Sequence, residues 1–173
     1  MTRALLVGAL LAGSAAAGFY ISKTVNERDA ASDAALPSIS MKDLAGGERS
    51  LTDWARRPVL VNFWATWCPP CLKEIPLLVT LQDEYRDQGL AVVAVAVDEE
   101  LAVRQFVNER ELNFPVLLAE ETGMGAAAAL GADVFALPIS AMVDRTGRVV
   151  MVHTGELSEA MARAAIADAL SAP

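Results

Sequence analysis

The 173-residue chain carries 14 lysines and arginines against 22 aspartates and glutamates, a formal net charge of −8. That balance excludes a nucleic-acid-binding surface, which has to be basic. A single histidine leaves little room for a histidine-built metal centre or a Ser/His/Asp triad, and the length suits one domain with a short extra segment.

Residues 4–21 hold no charge and lie between Arg3 and Lys23. Eighteen such positions fall just inside the range of about 17–25 for a membrane-spanning helix. Phe19 and Tyr20 near its outer end suit the membrane–water interface. The competing reading is a cleaved signal peptide, with residues 5–11 as its apolar core and Ser14, Ala15, Ala16 and Ala17 as small-residue cleavage sites. Either way the remainder is exported. Because the apolar run continues through Ile21, the expectation is an uncleaved anchor at 1–21, a polar linker at 22–37 and a folded domain at 38–173.

Within the domain, two short segments around Gly46 and Gly47 predict an N-terminal hairpin over 39–51. Residues 52–57 fit a single helical turn with Trp54 inward. Residues 59–65 are almost wholly apolar and predict a buried strand, in which Asn62 is expected as a hydrogen-bonded core polar group. A helix is expected over 69–88, with Cys71, Ile75, Leu78 and Tyr85 on the face toward the sheet and Pro76 interrupting one hydrogen bond. The run LAVVAVAV at 90–97, bounded by Gly89 and Asp98, reads as a strand buried on both faces. Together these segments make a right-handed βαβ unit. Further elements are a helix over 99–111, a short strand over 116–119 and an alanine-rich helix over 122–130. Strands at 139–143 and 149–154 are joined by the turn Asp144-Arg145-Thr146-Gly147. Ser158 caps a last helix reaching 170, with Met161, Ala165, Ile166 and Ala169 expected inward.

Chemistry concentrates at the two cysteines, Cys68 and Cys71. Cys68 sits where the strand gives way to a helix, and unpaired N–H groups and the helix dipole there favour a thiolate. Its pKa should therefore fall below the free value of about 8.5, and its sulfur should be exposed. Cys71 lies close to one helical turn further on and can face it. Pro69 fits the first helical position because its missing N–H would have no partner there. A purely structural disulfide would close so short a loop that it constrains the unfolded chain little. Structural zinc normally takes four Cys or His ligands, more than this sequence supplies. A redox-active dithiol is the better reading, and no organic cofactor or metal is expected.

The run FWATWCPPCLKEIP resembles the active site of the TlpA/ResA-like branch of the thioredoxin superfamily, and the resemblance extends from the late thirties to the C-terminus. It implies an α/β thioredoxin-like fold, a central mixed sheet flanked by helices, with the hairpin as an N-terminal extension. It implies an extracytoplasmic thiol–disulfide oxidoreductase, on the periplasmic side of the inner membrane, that reduces protein disulfides. Implied partners are apocytochrome c or proteins that assemble copper sites, with a transmembrane thiol carrier as electron donor. It further implies that Trp67 shields the dithiol and contacts substrate, and that Leu137-Pro138 is a cis bond facing the cysteines, with the Leu137 backbone pairing with substrate. Glu74 would handle protons. Asn62 replaces the buried aspartate of thioredoxin itself, and Ile139 stands where related sequences often carry threonine. Trp64 is expected in the core and His153 as an exposed strand residue. The alternative of a different class is a copper-binding module using Cys68, Cys71 and His153, although copper carriers of related fold usually separate their cysteines by three residues rather than two.

Overall fold

A computed structural model describes residues 36–173; the expected anchor and residues 22–35 of the expected linker lie outside the described residues. Among the described residues no helix is long and apolar enough to cross a membrane.

Among the described residues, seven strands form one mixed sheet in the order β2-β1-β5-β4-β3-β6-β7. They are β1 (Met41–Asp43), β2 (Glu48–Arg49), β3 (Val59–Trp64), β4 (Ala91–Ala96), β5 (Val116–Leu118), β6 (Ile139–Val143) and β7 (Val149–Thr154). Four helices flank it among the described residues: α1 (Pro69–Tyr85), α2 (Glu100–Asn108), α3 (Gly123–Ala129) and α4 (Glu159–Ser171). The central trio β3, β4 and β5 is parallel, while β6, β7 and the β1–β2 hairpin run antiparallel to their neighbours. This is the expected mixed sheet with its N-terminal hairpin.

All six residues of β3 and all six of β4 are buried, which explains their nearly continuous apolar sequence. Strand alternation sends Leu60, Trp64, Val92 and Ala94 to one face, where α1, α2 and α4 cover them. Val61, Phe63, Val93 and Val95 point to the other face, against α3 and the turn holding Leu51 and Trp54. Leu36 is buried in this second core. Trp64 is a core residue as expected, with Phe106 tilted against it at a centroid distance of 5.0 Å.

Several expectations are refined. The turn near Trp54 is a 3-10 helix over Leu51–Trp54, capped by Ser50. The expected long helix ends as α1 at Tyr85 and tightens into a 3-10 turn over Arg86–Gln88, which Gly89 stops at φ 96°. In α4 the expected inward Met161 is 39% exposed, and Ala162, 1% exposed, takes its place. One residue of rotation, roughly 100° about the axis, separates the two. The helix rests on Ala162, Ala165, Ile166 and Ala169, a mostly small-residue face.

Candidate active site

The end of β3 delivers the chain to α1 through Ala65, Thr66 and Trp67. Asp98, just past β4, fastens this turn: its Oδ2 accepts from the Thr66 N–H at 2.8 Å and the Thr66 hydroxyl at 2.5 Å. Its Oδ1 accepts from the Glu99 N–H at 2.8 Å. Two parallel strands in register thus fix where the helix starts.

Cys68 is the N-cap of α1, in extended backbone, and its Sγ accepts from the Cys71 N–H at 3.3 Å. Pro69 and Pro70 occupy the first two helical positions. Cys68 and Cys71 are joined in a disulfide, S–S 2.00 Å with Cα atoms 5.3 Å apart. The expected exposure of Cys68 does not hold in this oxidised form, where it is 4% exposed and Cys71 fully buried. Cys68 and Cys71 belong to the same apolar cluster. Trp67, by contrast, stands out into solvent at 66% exposed.

Glu74 lies one turn below Cys71 on the buried face of α1 and is 2% exposed, not a surface glutamate. Its Oε1 accepts from the Asn62 amide at 2.6 Å and its Oε2 from the Leu157 N–H at 2.7 Å. The same Asn62 amide donates to the Ser140 hydroxyl at 3.0 Å. Burial pushes the Glu74 carboxyl up to about 7, opposed by the Leu157 and Asn62 hydrogen bonds and assisted by the negative charge of Glu156. A carboxyl that titrates near neutrality under a dithiol can give or take a proton there. Sequence reasoning had Asn62 and Glu74 separately but missed Ser140, the Leu157 N–H and Asp98. A usable signal existed for Ser140, since it and Asn62 are the polar residues of two apolar strands and stand in register.

The Leu137-Pro138 bond is cis, as the resemblance implies, and the Pro138 carbonyl accepts from the Gly155 N–H at 2.8 Å. Pro138 is buried and Leu137 half-buried, packed against the cluster that includes both cysteines. His153 is half-buried rather than exposed, its Nε2 lying 3.3 Å from the Glu156 carbonyl oxygen. Among the described residues no group of three or more His, Cys, Asp or Glu side chains is placed to hold a metal ion, and Cys68, Cys71 and His153 form none.

Known proteins match this sequence and its architecture. A family model described as Redoxin matches residues 30–170. The thiol-disulfide oxidoreductase ResA of Halalkalibacterium halodurans is 36% identical over 122 residues, 70% of this chain and 67% of that protein. The thioredoxin-like protein YneN of Bacillus subtilis is 39% identical over 127 residues, 71% of each chain. Among solved structures, a DsbE-type thiol:disulfide interchange protein from Chlorobium tepidum superposes with a TM-score of 0.71 at 26% identity, covering 79% of this chain and 96% of that one.

Proposed function

The chain belongs to the Redoxin family and is a thiol–disulfide oxidoreductase, and on that premise we propose that it reduces protein disulfides outside the cytoplasm through Cys68 and Cys71. The observation that carries the reading is a disulfide at the helix N-terminus with a buried, neutral-range carboxyl one turn beneath it.

In the reduced protein, the Cys68 thiolate attacks one sulfur of a substrate disulfide. That S–S bond breaks, one substrate sulfur leaves as a thiolate and takes a proton, and a Cys68–substrate disulfide forms. Cys71 then gives its proton to the Glu74 carboxylate and attacks the Cys68 sulfur. The second substrate sulfur leaves, the Cys68–Cys71 bond closes, and two electrons have passed to the substrate. Trp67 and the Leu137 backbone beside Pro138 receive the substrate chain. Apocytochrome c or copper-site assembly proteins fit as substrates, and a transmembrane thiol carrier as the donor that restores the dithiol. The N-terminal segment would hold the domain at the periplasmic face of the inner membrane, or release it into the periplasm if cleaved.

The test is a Cys71→Ser variant, which stops the reaction at the mixed disulfide. Expressed in cells, it should accumulate partners bound through Cys68 and released by dithiothreitol. Recovery of no Cys68-linked protein, in cells where the double variant Cys68→Ser/Cys71→Ser serves as the blank, would overturn the reading.

A further inference from the structure

Beside the dithiol, Trp67, Val97, Met124, Val134, Phe135 and Leu137 line a cleft of about 230 Å³. Its rim is unusually bare: Phe135 is 92% exposed, Trp67 66% and Val134 36%. Leaving a phenylalanine in water forgoes the stabilisation that burial of its ring would bring. Single exposed apolar side chains are ordinary, but three that border one concave floor form a patch. The cleft is continuous with the redox centre, because Trp67 precedes Cys68 and Leu137 packs against the cluster holding both sulfurs. Gly123 keeps the floor tight, since a Cβ there would meet the Val97 side chain at 2.7 Å.

A second, polar recess of about 330 Å³ adjoins through neighbouring residues, Asp98 following Val97 and Thr122 preceding Gly123 and Met124. Glu120 and Glu121 line it, both exposed and without an ion-pair partner among the described residues. Glu100 there is paired with Arg104, and among the described residues Lys42 is the only cationic side chain of the lining. Next to the apolar cleft the surface is therefore negative.

We propose that this paired surface selects the substrate: a polypeptide segment whose reacting cysteine is flanked by a large aliphatic or aromatic residue, which enters the Phe135 cleft, and by a lysine or arginine, which meets Glu120 and Glu121. The inference rests on the reading that Cys68 exchanges with protein disulfides. A substrate chain whose sulfur reaches Cys68 passes beside this rim, and in an extended segment the two residues flanking the cysteine lie on one face, where they can meet neighbouring recesses. The cleft buries the apolar flank, and the carboxylates attract the basic one and raise its encounter rate.

The test uses the reduced full chain with symmetric peptide disulfides carrying leucine or serine on one flank of the cysteine and lysine or glutamate on the other. Leucine should be preferred over serine by about tenfold in kcat/KM, and Phe135→Ser should shrink that ratio to about twofold. Lysine should be preferred over glutamate at low ionic strength, the preference fading near 1 M salt and in Glu120→Gln/Glu121→Gln. Equal rates for all peptides, or a leucine preference untouched by Phe135→Ser, would overturn the proposal. So would a flat peptide profile together with Phe135-dependent self-association or binding to phosphatidylcholine vesicles, which would assign the patch to another occupant. Wild-type turnover of 2-hydroxyethyl disulfide separates the two readings: if that is absent along with all peptide turnover, the exchange reading itself fails, whereas small-disulfide turnover with no peptide discrimination sinks the cleft alone.

Discussion

Glu74 is held by two hydrogen bonds in an otherwise apolar layer, and it keeps its proton up to about 7 where an ordinary glutamate would lose it near 4.5. Between those values the folded chain binds more protons than the unfolded one. The stability tied to this residue is therefore fully present below about 4.5, falls as pH rises through the window, and levels off above about 7. The span corresponds to roughly 3 kcal/mol as an order of magnitude. Denaturant unfolding of the oxidised domain, in which the cysteines do not titrate, should show this decline, and Glu74→Gln should flatten it by roughly 2–3 kcal/mol. If wild type and variant keep the same slope across the window, the carboxyl is not its source.

Between elements, the decisive link is Asp98, which ties the turn before α1 to the end of β4 through two hydrogen bonds from Thr66 and accepts a third from its own neighbour Glu99. Asp98→Ala leaves the Thr66 and Glu99 N–H groups without their acceptor, a loss of about 1–3 kcal/mol. It should also change how fast iodoacetamide reaches Cys68 in the reduced protein, because Thr66 stands two residues before it. A variant that unfolds with wild-type stability and alkylates at the wild-type rate would show the link to be idle. Most elements were legible because their cues are local: both-face burial wrote the apolar runs of β3 and β4, and Asp144 with Gly147 wrote the turn between β6 and β7. What was not legible depends on how elements meet. Nothing in the periodicity of α4 separates Met161 from Ala162, and only the packed sheet picks the smaller side chain. Glu74 was identifiable by its position after Cys71, but its burial depends on Asn62 and on Leu157, 83 residues away along the chain. Phe135 lies in a stretch without secondary structure, where pattern offers no cue to exposure.

At the scale of the molecule, a reduction potential measures how much the whole fold prefers its disulfide to its dithiol. A strong oxidant stabilises the reduced form through an unusually acidic thiolate. Here Pro69 and Pro70 bring neither charge nor N–H to Cys68, the sulfurs sit in an apolar cluster, and the nearest buried ionisable group is an acid. Only the helix N-terminus favours the thiolate, so the dithiol should be a good donor, with a potential nearer to thioredoxin's, about −270 mV, than to DsbA's, about −120 mV. Equilibration with a glutathione redox buffer checks this: a domain still reduced at potentials near the DsbA value would be an oxidant.

Leu137 alone among the described residues packs against both apolar clusters, one on each side of the sheet. It acts as a rivet through the end of the sheet. In the exchange proposed above, the backbone point that receives an incoming chain is thereby anchored from both clusters, while Phe135, two positions earlier, stands exposed. Alignment for exchange and adaptation to different partners are thus assigned to separate residues of a single short loop, and partner choice can drift in evolution at position 135 without disturbing the sulfur geometry.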